Sequence, residues 1–600
     1  MPIKIFPAPR RITFRKNTCT LRGRRWVVLP PGSSPALHER VAEHAAEAGH
    51  ALGCTLRLSR SRPAADDLLL EIAIDKKLPT QGFALAIDDA GAHLIAADEA
   101  AVCYGMTAFV QIVQQRGTTV PVLRITDHPD HQVRGVMLDV SRCKVPTMTT
   151  LKLLIDRWSR LRYNQLQLYI EHTFAFVAHE TVWRESSPFT HEEILELDAY
   201  CAARHIELVP NFNSFGHFQR WLKHPEYKDL AECPDGYDNL EHGTTLAPRR
   251  QSLELLDGLY DELLPNFNSR LLNVGCDETW ELGQGWSKKK AEAQGSTRVY
   301  LDFLKKIHRL VQGKGRRMMF WGDIILHQPK LIPELPKDLI ALAWGYEADE
   351  PMKQRCRGFA RSGLDFYVCP GVCSWNSITG RTTTALANLT NAAAAGTSNG
   401  ALGYLNTDWG DNGHHQVLPI SYAGYAAGAA YSWCLKSNAA VDIAYGIDQT
   451  FFGAAGSGFG QVLLDLGRTI DQIPGTATFN STMINHWIFD PAAAPDAGPI
   501  RVADMRRGLR WLNDLADQLG DCRATAVDAD LVLDELQHAI GMAVFGVQRG
   551  LALRGKGPGA QELQATLRRV IMRHDEIWQR RNRLGGLHES SARLRAVPSV

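Results

Sequence analysis

From Arg134 to about residue 434 the chain alternates short apolar runs with helix-length amphipathic segments, and this rhythm constrains its fold more than any other feature. RGVMLDV (134–140) reads as a strand, TTLKLLIDRWSRL (149–161) as an amphipathic helix and NQLQLYIE (164–171) as the next strand. The pattern repeats with helix 191–204, strand IELVPNF (206–212), helix 249–263 and strand LLNVGCDE (271–278). Helix 289–312 leads to RMMFWGDII (317–325), then LIALAWGYE (339–347), DFYVCPGVCSW (365–375) and ALGYLNTDW (401–409). Helices at about 381–396 and 421–434 flank the last of these. About eight strands alternating with helices over roughly 250–300 residues predict an α/β chain built on a (β/α)8 TIM barrel. An open doubly wound sheet is the alternative, but it requires a Gly-rich first βα turn that this region lacks.

Two further units flank the barrel. Residues 1–130 predict an α+β accessory domain: LLLEIAID (68–75), GFALAID (82–88), the turn DDAG (88–91) into AHLIAA (92–97), and a helix over ADEAAVCYGMTAFVQIVQQ (97–115). The barrel takes 131–436, and 437–600 predict an α-helical C-terminal domain, with helices over 500–519 and 528–550 and no notable strand signal. The glycine cluster FFGAAGSGFG (451–460) lacks the Lys-Ser/Thr ending of a phosphate loop and reads as an interhelical loop.

Composition narrows the partners. Lys+Arg 66 against Asp+Glu 65 leaves a formal charge of +1, which offers nothing to nucleic acid or an anionic membrane. No apolar run approaches the ~20 residues of a membrane span. MPIKIFPAPRRITFRKN has no apolar signal-peptide core, and the 12 cysteines lack paired spacing, so a cytoplasmic protein with reduced thiols is expected.

In such a barrel the chemistry gathers at the C-terminal ends of the strands. Those ends carry Arg142; Glu171 and His172; Asn211, Asn213 and His217; Asp277, Glu278 and Trp280; Trp321 and Asp323; Trp344, Tyr346 and Glu347; Trp375 and Asn376; Asp408, Trp409 and Asp411. Carboxylates and Arg suit the hydroxyl edge of a sugar, and indoles suit its C–H faces. An Asp-Glu pair after a strand is ordinarily a helix cap, and a Trp there is ordinarily core. It is their recurrence at successive strand ends that points to a site. A metal at Glu171, His172 and His217 is the competing use, but no HExxH-type spacing supports it, so neither metal nor cofactor is expected.

RGVMLDVSR (134–142), GCDE (275–278) and WGD (409–411) resemble glycoside hydrolase family 20, the β-N-acetylhexosaminidases. ADEAAVCYGMTAFVQ resembles the helix of that family's accessory domain. YIEHTFAF, VCPGVCSWNSITGR and LNTDWGDNGHHQ resemble its branch with a helical C-terminal domain. The likeness spans about residues 60–435. It implies exo-acting, retaining removal of terminal β-linked GlcNAc or GalNAc, with the substrate's 2-acetamido oxygen as nucleophile. Glu278 is then the general acid and base, its proton held by the adjacent anion, and Asp277 the ionised partner of the acetamido N–H. Arg142 is implied at the C3 and C4 hydroxyls, His217 with Glu171 behind it as a relay, and Trp344, Trp375 and Trp409 as pocket walls. Asp411 is implied at the C4 and C6 hydroxyls, with Trp321, Asn376 and Asp408 as further substrate contacts. The family's acetamido-binding tyrosine is missing from SWNSI, and Tyr346 is the substitute. The implied partner is a carbohydrate ending in an N-acetylhexosamine, with no nucleic acid or membrane; a homodimer fits equally. Two rivals stay open: a barrel glycosidase with a direct carboxylate nucleophile, and a non-catalytic sugar-binding protein.

Overall fold

A computed structural model describes residues 3–453, 455–490 and 500–598. Its centre is a closed barrel of eight parallel strands joined in chain order. The strands are Val133–Asp139, Gln165–Ile170, Glu207–Phe212, Leu271–Asn273, Arg317–Trp321, Ile340–Trp344, Asp365–Cys369 and Gly403–Asp408. Helices follow each strand in turn, among them Met148–Arg160, His191–Ala202, Arg250–Leu263, Ser296–Gly313, Met352–Ser362, Thr382–Asn399 and Tyr422–Asn438. The strands are buried on both faces, which is why they read as near-continuous apolar runs.

The N-terminal unit is larger than the sequence suggests. It is a seven-stranded sheet carrying the helices Pro35–Leu52 and Glu99–Arg116. The hairpin through Asp88 and Gly91 is present. The strand Arg11–Thr20, which the periodicity does not reveal, lies at the sheet edge on Thr119–Asp127. It is exposed along most of its length and carries no buried stripe to detect.

The C-terminal region is helical as expected, with Val502–Asp521, Ala529–Ala552, Ala560–Arg581 and Leu587–Arg595. The cluster 451–460 joins the helices Ile443–Phe451 and Phe459–Leu466, its Ala454 lying outside the described residues. One element departs from the all-helical expectation: a two-stranded hairpin, Ala477–Thr478 with Ser481–Thr482. Among the described residues no helix is long and apolar enough to cross a membrane. All 12 cysteines are free thiols, as their spacing suggests.

A buried charge cluster ties the helical region to the barrel. Asp528 accepts hydrogen bonds from Arg157 on the first barrel helix (3.0 Å) and from Arg581 (2.9 Å), and Arg581 also reaches Glu535 at 2.7 Å. All four side chains are at most 8% exposed. Removing one partner from such a cluster strands a buried charge, at a cost of about 3–5 kcal/mol. Asp528→Ala is therefore expected to lower the melting temperature by several degrees in calorimetry. Breaking the half-exposed pair Arg298–Glu334 should leave it unchanged.

Candidate active site

The fourth strand ends five residues earlier than its sequence pattern implies. Beyond Asn273 the chain turns through left-handed backbone at Gly275 (φ 65°), Cys276 (φ 69°) and Glu278 (φ 48°). Such conformations are costly for Cys and Glu and persist only where the surroundings over-determine them. Here they do. Ser214 N–H donates to Val274 O at 2.9 Å, Cys276 N–H to Asn213 Oδ1 at 3.1 Å, and Tyr300 Oη to Cys276 O at 2.9 Å. A Cβ on Gly275 would lie 2.2 Å from Asn213 Oδ1, and one on Gly216 would lie 2.2 Å from Asp277 O. Two glycines thus let the third-strand loop close onto this turn, and the turn delivers Asp277 and Glu278 to one pocket.

That pocket opens at the C-terminal mouth of the barrel. Arg142, His217, Asp277, Glu278, Trp321, Trp344, Tyr346, Trp375, Trp409, Asp411 and Asn480 line it. His217 lies between the two carboxylates, its Nε2 being 3.4 Å from Asp277 Oδ2 and 3.3 Å from Glu278 Oε2. Its Nδ1 lies 3.9 Å from Glu171 Oε1. Burial alone would lower the His217 pKa, but the Asp277 charge and the contacts with both carboxylates outweigh it, raising it to about 10. Burial likewise pushes Asp277 up, and His217 more than reverses this, so Asp277 is held below the usual carboxylate range as an anion.

His217 thus stands between Asp277 and Glu278, within 3.4 Å of both carboxylates. A further carboxyl raised by Asp277 is Asp323, which accepts the Glu278 N–H at 3.3 Å. Burial first, and the Asp277 charge second, lift it to about 7. Asp411 rises to about 6 through burial, with the charges of Asp139 and Glu278 adding to it against the pull of Arg142.

Arg142 is anchored by Asp139 (Nη1–Oδ2 3.1 Å) and Glu171 (Nε–Oε1 3.2 Å). Its guanidinium lies over the rings of Tyr169 (4.4 Å) and Trp409 (4.9 Å). The aromatic wall is continuous. Tyr346 stacks on Trp344 at 5.2 Å, meets Trp375 edge-on at 5.1 Å, and accepts the Trp409 indole N–H at 2.8 Å.

Glu171 sits behind the pocket, on the far side of His217 where the relay reading has it, bonded by Tyr169 Oη at 3.0 Å. Two expected contacts lie off the pocket. Asn376 also stands behind, donating to Asp411 Oδ2 at 3.1 Å. Asp408 is corrected outright: it faces the helix layer, where Ser374 Oγ (2.8 Å) and Tyr425 Oη (2.5 Å) donate to it, because alternate residues of a strand point to opposite faces. Trp280 is 62% exposed outside the pocket. Asp139, three residues before Arg142 in RGVMLDVSR, was legible as part of that motif but missed. Asn480 carried no signal at all, since it comes from the unforeseen C-terminal hairpin.

An eight-stranded barrel whose mouth holds paired carboxylates inside an indole-walled pocket has the form of a sugar-processing barrel. Family comparison agrees: the catalytic domain of glycosyl hydrolase family 20 matches residues 131–375, and domain 2 of the same family matches residues 2–128. The chain belongs to glycosyl hydrolase family 20. It is 24% identical over 326 residues to a lacto-N-biosidase of Bifidobacterium bifidum (52% of this chain, 28% of that protein). It is 26% identical over 300 residues to a β-hexosaminidase of Akkermansia muciniphila (43% and 60%). The chain therefore spans between 28% and 60% of these relatives' own lengths. In fold it is similar to a Flavobacterium johnsoniae chitobiase, with a TM-score of 0.62 at 15% identity over 94% of this chain and 95% of that one. It is also similar to a Streptomyces plicatus N-acetyl-β-hexosaminidase, with a TM-score of 0.55 at 19% identity over 72% and 90%.

The raised Asp323 has a consequence for stability. The unfolded chain releases this proton near pH ~4, whereas the folded chain keeps it to about pH 7. Its contribution is full below pH ~4 and is lost as pH rises from there to about 7. Asp323→Asn should therefore match the wild type in melting temperature at low pH and exceed it by several degrees at pH 7.5. A difference that stays constant with pH would contradict the assignment.

Proposed function

We propose that the protein is an exo-acting, retaining β-N-acetylhexosaminidase that uses the substrate's acetamido group as its nucleophile. The observation that carries this reading is the unequal setting of two adjacent carboxylates in one pocket. Asp277, with a side chain 9% exposed, is held as an anion by His217; Glu278, 31% exposed, faces the opening. A buried fixed anion suits stabilisation of positive charge that develops on the substrate. A carboxyl at the opening suits proton exchange with a departing aglycone and an arriving water.

The steps follow. The acetamido oxygen attacks C1 while Glu278 donates its proton to the glycosidic oxygen, and the C1–O bond breaks with its electron pair leaving on the aglycone. Asp277 accepts the acetamido N–H and offsets the charge of the oxazolinium ion. Tyr346 Oη, held at the pocket wall by the Trp409 indole N–H, is the hydroxyl offered to the acetamido oxygen. Glu278, now a carboxylate, takes a proton from the water that attacks C1, while the bond between C1 and the acetamido oxygen breaks and its electron pair restores the neutral acetamide, giving the product with retained configuration. Arg142, clamped by Asp139 and Glu171, presents a forked donor to neighbouring ring hydroxyls. The Streptomyces plicatus β-hexosaminidase, solved with GlcNAc as product, is a relative in fold that supports the substrate class. The mouth of the pocket takes a terminal N-acetylhexosamine of a carbohydrate; the accessory and helical regions, with proposed boundaries near 130 and 436, frame it.

Nitrophenyl glycosides of GlcNAc, GalNAc and glucose test the reading. Turnover of the N-acetylated sugars and none of glucose is expected; comparable turnover of glucose, or a covalent adduct with a 2-fluoro sugar in intact-mass analysis, favours the direct nucleophile, and no turnover at all favours a binding protein. Asp277→Asn should lower kcat on the order of 10²–10³-fold, with a smaller change in KM. Arg142→Ala should raise KM for the same substrate more than it lowers kcat, and unchanged kinetics would remove Arg142 from the sugar.

A further inference from the structure

Among the described residues, the one pocket residue that comes from outside the barrel is Asn480, at the turn of the hairpin Ala477–Thr478/Ser481–Thr482. This hairpin is fastened to the pocket wall at several points. Asn480 N–H donates to Glu347 Oε1 at 2.9 Å, and Glu347 is itself paired with the buried Arg381 at 2.8 Å. Arg381 also donates to Thr478 O at 3.3 Å. On the other strand, Ser481 Oγ (2.9 Å) and Thr482 N–H (3.2 Å) both donate to Asn376 O. The side chain of Asn376 in turn holds Asp411. Asn480 and Asp411 thus belong to one connected wall.

The backbone of Asn480 is left-handed (φ 51°), and Asn tolerates this better than most residues. A tight turn accounts for that choice of residue. It does not account for the amide: Asn480 Oδ1 is buried and accepts no hydrogen bond from the protein. An acceptor shielded without a donor is costly, and the residue that carries it lines a pocket suited to a hydroxyl-bearing ligand.

We propose that Asn480 is a specificity-determining residue whose side-chain amide hydrogen-bonds a hydroxyl at the C4–C6 edge of the terminal sugar. The helical C-terminal region thereby completes the sugar pocket as well as bracing the barrel. This rests on the hexosaminidase reading and extends it to a residue beyond the barrel.

The test is Asn480→Gly, because glycine keeps the left-handed turn and deletes only the amide, whereas alanine would add strain. Kinetics are measured on aryl N-acetylglucosaminide and on its 4-deoxy and 6-deoxy forms, with melting temperature as a check on hairpin docking. Expected is a loss of about 3- to 10-fold in kcat/KM, carried by KM, with the melting temperature within error of the wild type. That loss should vanish on one of the two deoxy substrates, since neither partner of the missing bond then remains. An equal loss on all three substrates, or no loss on any, overturns the proposal while leaving the enzyme a hexosaminidase. A wild type inactive on every N-acetylated substrate fells the functional reading, and this inference with it.

Discussion

The pocket and the layer behind it gather Asp139, Glu171, Asp277, Glu278, Asp323 and Asp411 around two cations, Arg142 and His217. That imbalance is the constraint on which the rest of the site depends. Carboxylates at this density cannot all be ionised, and their environments decide which hold protons. Arg142 takes Asp139 and Glu171, and His217 takes Asp277 at the expense of its own neutral form. Asp323 and Asp411 are pushed toward the protonated form by burial first and by neighbouring carboxylates. The arrangement gives chemically similar groups unequal settings: Asp277 held as an anion, Glu278 at the opening, and Asp323 and Asp411 raised above the usual carboxylate range.

Holding that order demands rigid backbone, and the fold supplies it where strand periodicity fails. The turn Gly275–Glu278 abandons the sheet to aim two consecutive side chains into one space, which a regular strand cannot do because its side chains alternate. The left-handed conformations are held by Asn213, Ser214 and Tyr300 from neighbouring elements. His217 is itself left-handed (φ 54°), so two irregular segments lock against each other across the Gly216 contact. The buried Arg157–Asp528–Arg581–Glu535 cluster performs a comparable task at larger scale, fixing the helical region that carries Asn480.

The barrel was legible because each strand is buried on both faces and each helix has one apolar face, so the two periods alternate cleanly along the chain. Strand ends then gave most of the pocket: Arg142, His217, Asp277, Glu278, Asp411 and the aromatic wall all lie at predicted strand termini. What failed did so for local reasons. LLNVGCDE looks like one strand because its residues are small and apolar, yet its geometry is set by contacts with a segment about 60 residues earlier. Asp408 sits one residue from a pocket tryptophan and still points away, a distinction that depends on register. His217 as the cation between the two carboxylates is a three-dimensional fact, invisible in spacing. Asn480 could not be found, since TATFNST in a helical region reads as a turn and nothing more.

The central claim is that Asp277 is an anion placed to meet positive charge on the acetamido nitrogen of the substrate. Calorimetric titration with a thiazoline analogue of the cyclised intermediate tests it most directly, because binding is read without turnover. The account predicts tight binding to the wild type and at least ~100-fold weaker binding to Asp277→Asn. Equal affinity for the two proteins would contradict it.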